Sequence, residues 1–176
     1  MNSDQHNHSR FFAEFQSGIE KIKTQSNDNF HNRLYYSNVI SLMEKYLYDL
    51  FIFEISSNRS TLVKLATQNK FRATSLKIPF ILHNNIEEYI INAMKNIVWH
   101  RLNDVDVFYK NVLEIQFNIS TGILNILKIR HDIAHRNGFD LNGNKIMITN
   151  QDLYCCINLI SNFILDIDKK YQALKN

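Results

Sequence analysis

The sequence predicts an all-α fold, a bundle of roughly five to seven helices with one short extended hairpin arm, and three observations predict it. Apolar residues recur at steps of three and four along most of the chain, the repeat that lays them on one face of a helix. Hydrophobic residues make up 45% of the 176 residues, while glycine occurs four times and proline once, too few chain breakers for an all-β or disordered protein. The polar stretches between the striped runs hold the residue types that start and stop helices.

Residues 1–8 are polar and predict a flexible N-terminus; residues 9–176 predict a single helical domain large enough to bury a core. Phe11, Phe12, Phe15, Ile19 and Ile22 predict a first helix over 9–23, and the polar run 24–29 a turn. Tyr36, Ile40, Met43, Leu47 and Leu50 predict a long helix over 30–55, and Tyr46, Tyr48, Phe51 and Phe53 widen its apolar surface, which marks it as central. Glu44 lies beside that stripe, either as a surface residue or as the partner that a buried arginine elsewhere would need.

Segment 56–86 contains no Asp or Glu, yet carries Arg59, Lys64, Lys70, Arg72, Lys77 and His83, with Phe71 and Phe80 interleaved. Two readings stand. Lys64, Lys70, Arg72 and Lys77 hold an RNA backbone while aromatic rings stack bases, or the segment is a short helix over 61–69 and a loop stiffened by Pro79. Helices over 86–100 and 102–112 follow, the second capped by Asn103 or Asp104; Trp99, among Ile91, Met94 and Val98, reads as a core anchor. Ile119, Ile123, Ile126 and Ile133 stripe a helix over 118–135, with Gly138 as a left-handed cap beyond it. An Asn-Gly turn at 140–144 joins 139–141 to an extended arm at 145–148. Thr149 or Asn150 then caps a last helix, striped by Leu153, Ile157, Ile160, Ile164, Ile167 and Tyr171, that packs antiparallel to helix 118–135.

Net charge is +3 with a pI near 8.8, a mild bias compatible with nucleic acid. The two cysteines, Cys155 and Cys156, are adjacent in a helical pattern, so no disulfide framework exists and a reducing cytoplasm is expected. No signal-type apolar core and no membrane-length apolar run occurs, so a soluble protein is expected. Phosphate-binding glycine loops, Gly-x-Ser-x-Gly elbows and paired catalytic carboxylates are lacking, which argues against ATPase and α/β-hydrolase chemistry.

The densest chemistry is Arg130-His131-Asp132-Ile133-Ala134-His135-Arg136-Asn137-Gly138. Arg130 occupies a place where the isoleucine stripe calls for an aliphatic side chain, and such broken rules mark functional sites. Arginine grips phosphate oxygens in pairs, and histidine exchanges protons near neutral pH. Arg130 therefore reads as a phosphate and transition-state clamp and His135 as general acid or base. On a regular helix the two project about 140° apart, so either His135 turns back or a second copy of the chain completes the site. Asp132 orients His135 or pairs with Arg136; His131 donates to phosphate or is simply exposed; Asn137 contacts substrate or, better, caps the helix. A metal reading competes: His131 and His135 stand in i,i+4 register, with His83, His100 or Asp140 as a third ligand, but Arg130 and Arg136 oppose a cation. A fourth reading makes all these groups an ordinary helix end at a subunit contact.

Arg130-(four residues)-His135, with Arg136-Asn137-Gly138 and the turn Asp140-Leu141-Asn142-Gly143, resembles the HEPN superfamily (higher eukaryotes and prokaryotes nucleotide-binding), small all-α domains with an R-x4–6-H motif near a helix end. The long helix containing Glu44 is also similar to their early helix. The resemblance implies a metal-independent endoribonuclease needing no cofactor, acting on RNA from a composite site in a homodimer. It further implies a toxin or defence effector with an antitoxin or defence-system partner, or else a non-catalytic module binding RNA, a nucleotide or a protein. Some toxin-pair relatives carry a tyrosine two residues after the motif histidine that a partner enzyme modifies; that position here is Asn137.

Overall fold

The structure, a computed structural model, describes residues 8–25, 28–72 and 74–175, so the expected flexible stretch falls, apart from His8, outside the described residues. Among those described the protein is all-α: nine α-helices, one π-helical turn and no strand beyond a single isolated bridge. The helices are α1 (Arg10–Lys23), α2 (Asn29–Ser57), α3 (Arg59–Ala66), α4 (Asn69–Arg72), α5 (Ile78–His83), α6 (Ile86–Lys95), α7 (Leu102–Phe108), α8 (Thr121–His135) and α9 (Asn150–Ala173). Nine exceeds the expected five to seven because segment 56–86 folds into three short helices rather than one. Pro79 does not stiffen a loop; it sits in the first turn of α5, where its missing N–H costs nothing. The chain divides into two compact units, Met1–Tyr46 with Asn118–Asn176, and Leu47–Phe117.

The first unit contains α1, the N-terminal part of α2, α8 and α9. The Ser9 hydroxyl starts α1 by accepting from the Phe12 N–H at 3.1 Å, and Thr149 starts α9 through a reciprocal capping box with Asp152. Gly18 lies against Leu42, where a Cβ would come within 2.6 Å of a leucine methyl. Gly122 meets Leu159, and the Asn118 amide donates to Asp166 at 3.0 Å, so α8 and α9 run antiparallel as expected. Phe12, Phe15, Ile40, Met43, Ile160 and Ile164 are core residues, each 4% exposed or less.

A buried polar cluster forms in this core. Asp168 of α9 is fully buried and accepts from the Ser9 hydroxyl, the Ser9 N–H at 3.2 Å and the Tyr46 hydroxyl at 3.0 Å, while His8 Nδ1 lies 3.2 Å away. Close by in sequence, Cys156 is buried and Cys155 exposed. Burial pushes the Cys156 thiol up to about 12 and raises the Tyr36 phenol as well. Both groups are thus neutral acids whose folded pKa exceeds the unfolded one. Their stabilising contribution is complete below the pH where an exposed thiol ionises, near 9.0, and is lost as pH rises toward 12. Denaturation midpoints should therefore fall between these two values. A thiol reagent at neutral pH should titrate Cys155 quickly and Cys156 only after unfolding; equal rates would contradict this burial.

In the second unit the C-terminal part of α2 meets α3 to α7. Trp99 is 6% exposed, perpendicular to Tyr48 at 5.7 Å and tilted against Phe51 at 5.8 Å, the expected core anchor. Helix α7 is entered through Arg101 without a side-chain cap, so neither Asn103 nor Asp104 caps it. It ends in the π-helical turn Tyr109–Leu113, closed by left-handed Glu114 at φ 62°. The Tyr109 hydroxyl, fully buried, donates to the Leu47 carbonyl at 2.6 Å. No described helix is long and apolar enough to cross a membrane.

Candidate functional site

The motif forms the last two turns of α8. Ser120 caps the helix start, Ile123 and Ile126 are buried, and the same face brings Arg130 to a half-buried position. Arg130 Nε is sealed from solvent with no hydrogen-bond partner, and the residue makes no ion pair among the described residues. Glu44, half-buried on α2, therefore does not pair with it. A buried polar group without a partner costs on the order of 1–3 kcal/mol, so Arg130 is not held there for stability.

His131 and His135 are both exposed, with ring centroids 4.7 Å apart. Arg130 and His135 are not brought onto one face: α8 stays helical through His135, and the five-residue step leaves them about 140° apart. Asp132, 5% exposed, is paired with Arg136 one turn on, so its carboxylate is engaged by the guanidinium rather than an imidazole. The helix end is closed by two successive left-handed residues, Asn137 at φ 52° and Gly138 at φ 82°. The Gly138 N–H returns to the Asp132 carbonyl at 3.3 Å, and Asn137 holds the left-handed position just past the helix end.

The expected hairpin arm is reduced to an antiparallel bridge between Phe139 and Lys145. Asp140 organises its turn, accepting from the backbone N–H groups of Asn142 and Asn144 at 2.8 Å each. The Asn144 side-chain amide and its N–H beside Asp140 hold that carboxyl below the usual range. The arm is fixed to α2 by Asn32, 1% exposed, whose amide donates to the Ile148 carbonyl at 3.2 Å and to Asn150 at 2.7 Å.

Arg33 was not anticipated. It lies over the motif turn: a Cβ on Gly138 would collide with Arg33 Nη1, and Arg33 Nε is a second buried guanidinium nitrogen without a partner. Position 33 falls on the edge of the Tyr36–Ile40 stripe, so the rule that singles out Arg130 would have found it. Gly138→Ala is expected to cost about 1–3 kcal/mol, through the left-handed backbone and displacement of Arg33. A urea midpoint equal to that of the unsubstituted protein would remove Arg33 from this seat.

The basic residues of 56–86 belong to the second unit. Lys64 pairs with Glu114 at 2.8 Å, and Arg59 pairs with Glu87, carboxylates contributed from outside the acid-free stretch. Lys70, Arg72 and Lys77 are exposed and without ion pairs among the described residues. Lys70 also lines a cavity of about 630 Å³ with Arg101, Asp104, Phe108 and Asn111. Among the described residues no group of three or more His, Cys, Asp and Glu is placed to hold a metal; His83 and His100 lie in the other unit from His131 and His135. No protein-family model, curated protein or solved structure matches the chain.

Proposed function

We propose that the protein is a metal-independent endoribonuclease of the HEPN type. It would cleave single-stranded RNA by attack of the 2′-hydroxyl on the adjacent phosphate, leaving a 2′,3′-cyclic phosphate. The observation that carries this reading is Arg130, a guanidinium half-buried on the core side of α8 with its Nε unpartnered, in the same two turns as the exposed imidazoles of His131 and His135. A cation kept at a cost in stability is explained by an anion that it meets only when substrate binds. Arg130 would clamp the phosphate and its transition-state charge, and His135 would move the proton. Arg136, neutralised by Asp132, positions the helix end, and His131 assists at the phosphate. Because Arg130 and His135 diverge around α8, one site draws on two copies of the chain, which is the argument for a homodimer. A role as toxin or defence effector, held by a partner protein, rests on the HEPN resemblance.

The divergence also favours a second reading, a non-catalytic HEPN-like module that binds RNA, a nucleotide or a protein. Purified protein in EDTA should nick single-stranded RNA, with 2′,3′-cyclic phosphate ends. His135→Ala should abolish this while its melting curve stays unchanged; cleavage surviving both that change and loss of the Arg130 guanidinium leaves only the binding module. Mixing the two inactive variants should restore activity, since mixed dimers then hold one intact site.

A further inference from the structure

We infer that His131 and His135 form a two-imidazole seat for a divalent cation of the zinc class, and that filling it stops the nuclease. The seat rests on geometry alone; the inhibition rests on the proposed role of His135. The two rings stand one turn apart on the same exposed face, centroids 4.7 Å apart, and neither makes a hydrogen bond or ion pair among the described residues. That register lets two neutral imidazoles share one Zn²⁺, Ni²⁺ or Cu²⁺.

The objection legible in the sequence, repulsion by the flanking arginines, is answered by their placement. Arg136 is compensated by Asp132, and Arg130 projects around the helix toward the core side, about 140° from His135. Lys128, one turn before His131, remains the opposing cation on this face. Both histidines lie in the last turns of α8, where the helix dipole presents partial negative charge and favours a cation. Since no third protein ligand is grouped with them among the described residues, water fills the remaining positions. The seat is therefore open and reversible rather than structural. A cation there takes the lone pair that His135 needs to accept a proton, so the bound form cannot act as base.

The test titrates the full chain with Zn²⁺ and Ni²⁺ by calorimetry, with Mg²⁺ as the hard-cation control. One ion per chain is expected for the first two and none for Mg²⁺. Either His131→Ala or His135→Ala should weaken binding about a hundredfold, because a chelate becomes a single ligand. Absence of saturable binding, or binding indifferent to both substitutions, overturns the seat. For the second half, RNA cleavage by the unsubstituted protein should fall along the same zinc isotherm and return with EDTA. Cleavage that continues at zinc saturation overturns the inhibition. A chain that binds zinc but never cleaves in EDTA instead removes the nuclease reading and leaves the seat standing.

Discussion

Arg130→Met is expected to lower RNA cleavage about a thousandfold, the scale for deleting a preorganised donor or arginine at a phosphoryl transition state, while the melting temperature holds or rises. The two halves have one cause. Methionine keeps an unbranched apolar stem on the helix face that carries Ile126 and Ile133 and removes a guanidinium whose Nε is buried without a partner. The fold thus loses no hydrogen bond or ion pair among the described residues and is relieved of a desolvated polar group. A structural arginine would behave the opposite way, losing stability first and activity only as a consequence. Cleavage rate and thermal melting measured on one preparation separate these cases. A variant that still cleaves at the original rate ends the clamp assignment.

Asp168→Ala is expected to cost about 3–5 kcal/mol, near the top of the range for single substitutions. The carboxylate is fully buried and serves the Ser9 hydroxyl, the Ser9 N–H and the Tyr46 hydroxyl together. Its removal leaves those donors facing a cavity that cannot offer them water from bulk. Asp168→Asn, which keeps one acceptor oxygen, should fall between alanine and the unsubstituted protein. If alanine leaves too little folded protein to measure, the asparagine variant still gives a midpoint. A shift of under about 0.5 kcal/mol in the asparagine variant would show that the cluster is not what holds α1 to α9.

The elements that the sequence displayed most openly are those whose signal is local. Helices α1, α2 and α9 carry uninterrupted apolar stripes, α8 carries one broken at Arg130, and Ser9 and Thr149 stand where an N-cap must be. The i,i+4 pairing of Asp132 with Arg136 and the shared face of His131 and His135 follow from helix geometry in the same way. What stayed hidden depends on chain partners far away. Asp168 reads as one more polar residue beside the stripe of α9 until Ser9 and Tyr46 arrive from 159 and 122 residues away. The acid-free run 56–86 looked like an open basic face because the carboxylates that meet Lys64 and Arg59 lie beyond it. The π-helical turn after α7 leaves no trace in a 3.6-residue pattern, since an i→i+5 ring changes hydrogen bonding before it changes hydrophobicity.

The Ser9 hydroxyl has two duties at once: it accepts from Phe12 to open α1 and donates to Asp168 to seat it. Its second partner is synthesised 159 residues later. On the ribosome, where a chain grows by about 5–20 residues each second, α1 must therefore wait many seconds for its final seat. Through that interval the apolar face of α1, with Phe11, Phe12 and Phe15, lacks α9, and slowing translation before α9 should lengthen the time for which it is exposed.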